Sequence, residues 1–328
     1  MQRLHSMIID CHVHVSAMSP GHGFMSRKLL DSLPFRFMRW RLGLKGEDER
    51  TERALEATLA RTIAESGVDQ AVVLAFDGVH DDDGRLDESR THLYVTNDYV
   101  IELAGRHDNM LLGASVHPYR RDAVAEIERC VDAGAVLMKW LPPTQGMDPS
   151  DPRCIPFYEA LAHYRLPLLC HTGGEASLPR VDDRLADPKV LEEALRRGVT
   201  VIMAHCGTRS MPWQPDYLPD FIRLAQEYEH CYGDTAALNL PARWYGLDAA
   251  LDHPVIRRKV IHGSDWPIIA IPPARKIGEA FWELMSDSNW MRRDVRIKRK
   301  MGFDDAYWQR AASILRLPET PLQRDRSD

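Results

Sequence analysis

The sequence predicts an α/β chain folded as a (β/α)₈ TIM barrel, with an insertion after the first strand and extra helices at the C-terminal end. Three observations predict it. Short apolar runs rich in β-branched residues alternate with amphipathic stretches, the runs number eight, and most are continuously apolar, as strands covered on both faces of a parallel sheet must be. The runs are Met7 to His14, Gln70 to Phe76, Leu111 to His117, Ala135 to Trp140, Leu166 to His171, Thr200 to His205, Cys231 to Ala236 and Val260 to Asp265. After the first they recur at intervals of about 24 to 40 residues, room for one strand, one loop and one helix. Eight units in unbroken series favour closure over a doubly wound open sheet, and a single domain over residues 1–328.

In chain order, the first strand carries His12 and His14 on one face, because side chains two apart on a strand point the same way. The same alternation puts Asp10 deeper on that face as a support and turns Cys11 and Val13 outward to the helices. An insertion over residues 16–50 follows, with Phe24, Phe35, Phe37, Met38 and Trp40 among the basic residues Arg27, Lys28, Arg36, Arg39, Arg41 and Lys45. Leaving the end of a barrel strand, it is expected as a lid or pocket wall, a helical hairpin over the rim, or a subunit contact. Leu55, Leu59 and Ile63 then recur every four residues, and Val124, Ile127 and Val131 line one helical face. Asp187-Pro188 opens a helix as cap and first-turn proline, with Gly198 just past its end. Residues 285–328 read as C-terminal helices with a polar, fraying tail from Gln323 to Asp328. Within them the basic run Arg296 to Lys300, balanced by Asp287, Asp294, Asp304 and Asp305, reads as a solvated face.

Composition excludes several classes of function. The net charge of −6 comes from interspersed acids and bases, without the basic patch that tracks nucleic acid. Six scattered cysteines form no C-x-x-C pair and read as buried free thiols, which fits a reducing cytoplasm. Met1 to Ser6 lack an apolar h-region, and no run approaches the ~18 residues of a membrane span, so a soluble, unexported protein is expected.

The chemistry lies at the strand ends. In a barrel every C-terminal strand end faces one cavity, so residues remote in sequence become neighbours there. The first strand ends in His12 and His14, the fourth in Lys139, the fifth in His171, the sixth in His205 and the eighth in Asp265. Any one of these has a bland explanation as a hydrogen-bonded rim residue. Four histidines and an aspartate converging on one face are instead the ligand set of zinc, manganese or iron.

The stretches Ile9-Asp10-Cys11-His12-Val13-His14, Leu169-Cys170-His171-Thr172-Gly173, Met203-Ala204-His205-Cys206-Gly207 and Ile261-His262-Gly263-Ser264-Asp265-Trp266-Pro267 resemble the amidohydrolase superfamily. More narrowly, the chain from Met7 to about Leu317 is similar to the amidohydrolase-related branch that includes aminocarboxymuconate semialdehyde decarboxylase. The resemblance implies one divalent ion, zinc first and manganese or iron next, held by His12, His14, His171 and Asp265. It also implies Asp265 as the base that takes a proton from water. His205 would stand beside the ion as acid/base or electrostatic partner, or else orient Asp265 or a ligand. Lys139 matches the place where some members use a carboxylated lysine to bridge a second ion; otherwise it would bind a substrate carboxylate or pair with Glu175. A homodimer is a further expectation from the resemblance.

For the substrate, a small molecule, the sequence offers less. Trp140, Trp213, Trp244 and Trp266 flank the loops after strands four, six, seven and eight, as an aromatic pocket for a ring or planar acid or as rim packing. Lys139, Trp140 and Trp266 are the expected substrate contacts, and Arg180, Arg209 and the insertion arginines candidate carboxylate clamps. A metal-dependent hydrolase of a lactone, amide or ester is the first reading. Non-oxidative decarboxylation of an unsaturated or aromatic acid is the second, and a metal-binding barrel without chemistry the third.

Overall fold

The computed structural model describes residues 7–317; the tail from Gln323 to Asp328 lies outside them. The strands are β1 (Ile9–His14), β2 (Gly23–Met25), β3 (Gln70–Leu74), β4 (Leu93–Val95), β5 (Met110–Ala114), β6 (Leu137–Trp140), β7 (Leu168–His171), β8 (Val201–Ala204), β9 (Cys231–Asp234) and β10 (Val260–Ile261). Eight of them form one parallel sheet in the order β1, β3, β5, β6, β7, β8, β9, β10. The sheet curls until its ends meet through the chain that follows β10. There Cys11 N donates to His262 O at 3.0 Å, Asp265 N to His12 O at 2.9 Å and His14 N to Trp266 O at 2.8 Å.

Successive strand residues serve two shells of core. Ala71 and Val73 pack with Leu55, Leu59 and Ile63 of the helix Glu49–Ala64. Val72 and Leu74 join Ile9, Leu137, Leu169, Ile202 and Ile261 in a separate cluster inside the ring, where Ala311 of the helix Asp305–Ile314 and Leu315 also pack. This division is why the runs are apolar throughout.

Cys11 departs from the expected alternation. It packs inside the ring with Ile9 and Val72, because the register of β1 against β3 slips between Asp10 and Val13. Two residues of β1 there face one of β3, a bulge that period-two reasoning cannot anticipate. All six cysteines are free and buried, as expected. The paired strands are shorter than the apolar runs, most of all at β10, which ends at Ile261. Beyond it the chain leaves the sheet ladder to bring Asp265 beside β1.

The insertion is in part the helical hairpin expected, with a strand that was not. β2 pairs antiparallel with β4, and three-residue strands have no period to read. Helices Arg27–Leu30 and Leu33–Arg41 follow, capped by Ser26 and Ser32, whose hydroxyls accept from Leu29 N and Phe35 N. The preceding loop is tied to the barrel by the buried Glu52 carboxylate, which accepts from Ser19 N at 2.9 Å, Ser19 Oγ at 2.7 Å and His22 Nδ1 at 2.6 Å. Asp187 caps Lys189 N as predicted, although the turn it opens is 3₁₀ before becoming α-helical at Glu192.

The basic run near the C-terminus is not wholly a solvated face. On the helix Trp290–Met301, Arg299 and Lys300 are exposed, but Lys298 is fully buried and paired with buried Asp294 at 2.6 Å. The helical period sets 294 and 298 on the face that also buries Met291 and Val295. Among the described residues no helix is long and apolar enough to cross a membrane.

Candidate metal centre

Strand β1 delivers His12 and His14 with their Nε2 atoms 3.1 Å apart. Asp265 Oδ1 lies 3.3 Å from the first and 3.2 Å from the second. One donor atom from each of these three residues falls within 4.8 Å of the others. His171, at the end of β7, and His205, just past β8, line the same cavity with Lys139 of β6. The His205 ring is 5.4 Å from that of His12 and 5.0 Å from that of His171, centroid to centroid. The expected convergence of strands one, four, five, six and eight is thus observed.

Two aspartates support this arrangement from behind. Asp234 ends β9 and is wholly buried. Its Oδ2 accepts from His12 Nδ1 at 2.7 Å, and its Oδ1 accepts from His205 N at 2.8 Å and Ala236 N at 3.1 Å. A proton on His12 Nδ1 leaves the Nε2 lone pair facing the cavity. Ala236 O receives His205 Nδ1 at 2.8 Å and fixes that ring in the same tautomer. Asp10 Oδ1 accepts from His12 N at 3.1 Å and Ser264 N at 2.9 Å, the support expected of it. His205 and Asp265 both have left-handed backbone, φ 60° and 64°, which for non-glycine residues surrounding contacts must impose.

Burial, reinforced by the Lys139 charge, holds His12 and His171 well below the ordinary histidine range. Burial and the nearby Arg243 do the same to His205. These rings are therefore neutral, and the His12–Asp234 contact is a hydrogen bond rather than an ion pair. Burial also lowers Lys139, whose Nζ lies 3.0 Å from His12 Nε2. For Asp265, burial pushes upward, but the hydrogen bond from His14 and the charge of Lys139 act against it, and the carboxyl stays below its usual range.

The residues fit a divalent cation. Three electron-pair donors facing one another at this spacing repel unless positive charge lies among them. His171 Nε2 gives a second sign, being buried without a hydrogen-bond partner among the described residues. His171 falls outside the tight cluster of His12, His14 and Asp265, but it faces the same cavity.

The cavity measures about 90 Å³, below the ~300 Å³ of common ligand pockets. Its other walls include Val15, Phe35, Met38, Leu93, Leu141, Leu178 and Glu175. Phe35 and Met38 come from the insertion helix Leu33–Arg41. The expected tryptophans are elsewhere. Trp140 is buried behind the sheet against Phe157 and Tyr158, its Nε1 donating to Val116 O at 2.8 Å. Trp266 faces a separate hollow beside Arg41 and Trp290, Trp213 is exposed, and Trp244 donates to Ile271 O at 3.1 Å. Residues after a strand end alternate between cavity and helices, so closeness in sequence to a site does not set direction. Glu175 lies 3.7 Å from His171 Nδ1 and forms no ion pair with Lys139.

Sequence reasoning missed Asp234 and Arg243. A lone aspartate in the apolar stretch Cys231 to Ala236 was the available signal for the first. For Arg243, a buried arginine whose charge helps to lower His205, the sequence offered none. Its Nη2 donates to Gly174 O, while Nε and Nη1 are buried without partners among the described residues.

The amidohydrolase family model matches residues 9–287. No curated protein matches the chain in sequence. Among solved structures, an uncharacterized TIM-barrel protein from Bordetella bronchiseptica is 19% identical, covering 90% of this chain and 99% of its own, with TM-score 0.58. A probable 2-pyrone-4,6-dicarboxylic acid hydrolase from Acinetobacter baumannii is 15% identical, covering 94% and 96%, with TM-score 0.54. A 5-carboxyvanillate decarboxylase from Sphingomonas paucimobilis is 14% identical, covering 95% and 100%, with TM-score 0.55. At these identities the likeness concerns the fold.

Proposed function

This chain belongs to the amidohydrolase family, and from that premise we propose that it is a metal-dependent hydrolase of a small lactone, amide or ester. His12, His14, His171 and Asp265 would hold one divalent ion, zinc before manganese or iron. Bound there, such an ion supplies Lewis acidity and lowers the pKa of water toward neutrality. The observation that carries the reading is Asp265 Oδ1, 3.2 to 3.3 Å from two imidazole nitrogens and kept ionised. An ionised carboxylate in that position is ready to take a proton from an attacking water. His205, neutral and with Nδ1 committed to Ala236 O, presents Nε2 as a base that becomes a donor once protonated. In that form it can steady a developing oxyanion. Lys139 holds the His12 edge of the site, and its burial eases loss of the proton that a bridging carbamate would require.

Arg243 favours a second reading, decarboxylation of an unsaturated or aromatic acid. Two partnerless N–H-bearing nitrogens on a buried guanidinium are suited to a carboxylate. Metal analysis with paired substrate panels separates the readings. About one ion per chain, and turnover of esters or lactones that Asp265→Asn lowers at least ~100-fold, supports hydrolysis. Turnover restricted to carboxylic acids with release of carbon dioxide supports the alternative. An Asp265→Asn protein of near-normal activity overturns both.

A further inference from the structure

Apart from the metal centre, the helix Trp290–Met301 carries a buried ion pair. Lys298 Nζ and Asp294 Oδ2 are 2.6 Å apart with neither side chain more than 1% exposed. Such a pair is a weak source of stability, because desolvating two charges cancels most of their attraction. Its further contacts indicate another use. Lys298 Nζ donates to the Gly263 carbonyl at 2.8 Å, and Asp294 Oδ1 accepts from Asn239 Nδ2.

Both contacts end on segments that carry the centre. Gly263 stands two residues before Asp265, beyond the end of β10 at Ile261, where no strand ladder holds the chain. That segment is held group by group. His262 O receives Cys11 N at 3.0 Å, Asp10 Oδ1 receives Ser264 N at 2.9 Å, and His12 O receives Asp265 N at 2.9 Å. These three partners all belong to β1, whereas the Gly263 carbonyl is held from outside the barrel by Lys298. Gly263 is also wedged inward, since a Cβ there would lie 3.1 Å from His12 Cβ and 3.3 Å from Ala236 Cβ. Asn239 lies in the loop after β9, the loop whose Ala236 carbonyl fixes His205.

We infer that Lys298 and Asp294 are positioning residues that, through the Gly263 carbonyl and the Asn239 amide, hold Asp265 where it completes the metal centre with His12 and His14. The inference rests on the proposed metal-dependent reading. It is tested by titrating metal-stripped full-length protein with Co²⁺, whose d–d absorption reports ligand number and geometry, alongside thermal melts. Lys298→Met removes the grip but leaves Asp294 unpaired; Lys298→Met with Asp294→Leu leaves no unpaired charge there and recovers most of the stability that the single variant loses. The double variant is expected to melt near wild type yet bind Co²⁺ at least about tenfold more weakly, with an altered spectrum. Lys300→Met, on the exposed face of the same helix, should match wild type. A double variant with wild-type affinity and spectrum overturns the inference. Should neither Lys298 variant fold, Asn239→Ala cuts only the loop contact; the same roughly tenfold loss supports the inference and unchanged affinity overturns it. Wild-type protein that binds no Co²⁺ instead overturns the metal-centre reading itself, a distinct result.

Discussion

Asp234 shows how one side chain sets the chemistry of another. Its Oδ1 is engaged by two backbone N–H groups, so in Asp234→Asn the amide oxygen must keep that place and the NH₂ must face His12 Nδ1. His12 would then carry its proton on Nε2 and lose the lone pair that faces the cavity. Metal affinity is expected to fall roughly 10- to 100-fold with little change in fold, checked by competition with a chelating dye. Wild-type affinity in that variant would mean that His12 is not a ligand. His12, His14, Lys139, His171, His205 and Asp265 were legible in the sequence because each closes an apolar run, and a barrel gathers such ends. Asp234 lies within a run too, but nothing in sequence distinguishes a carboxylate that meets the cavity from one that meets a histidine behind it.

At the scale of elements, the helix Leu33–Arg41 matters most. Its Phe35 and Met38 line the cavity while Leu33, Phe37 and Trp40 on its other side are exposed. With about 90 Å³ beneath it, this helix is expected to limit what reaches the histidines. Phe35→Ala is expected to raise kcat/KM for bulkier substrates relative to small ones. Because Phe35 sits at the rim, its loss should cost less stability than the roughly 3–5 kcal/mol of a core Phe→Ala, as read by urea unfolding. An unchanged preference across a size series would reduce the helix to rim packing. The aromatic content of this segment was plain in the sequence. Which aromatics turn inward was not, since Ser32 sets the helix start and the anchoring of the loop to Glu52 sets its approach. The β1 bulge is the same lesson in a strand: one extra residue reversed the side expected for Cys11.

For the molecule as a whole, acid sensitivity follows from histidines buried neutral away from the centre. His117 Nε2 donates to Gln145 O while its Nδ1 accepts from Tyr119 N, so a second proton has no place, and burial pushes its pKa down to about 3. An unfolded chain takes up that proton near pH 6.5, whereas the folded chain refuses it until about pH 3. Stability from this group is therefore complete above about 6.5 and declines as the pH falls. Relative to wild type, His117→Gln should flatten the loss by about 1.4 kcal/mol per pH unit between pH 6 and 4. Urea unfolding at several pH values measures it, and parallel curves for the two proteins would contradict the assignment.

From the sequence alone follow the barrel, the order of its strands and the set of strand-end residues. These depend on periodicity and on closure, which local composition carries. Only the tertiary structure decided which side chains meet. It sent Trp140 and Trp266 away from the cavity, set Asp234 behind His12, left two nitrogens of buried Arg243 without partners among the described residues, and buried the Lys298–Asp294 pair behind Asp265. The reason is physical: direction past a strand end depends on bulges, left-handed residues and contacts with remote helices, none of which leaves a periodic trace in the chain.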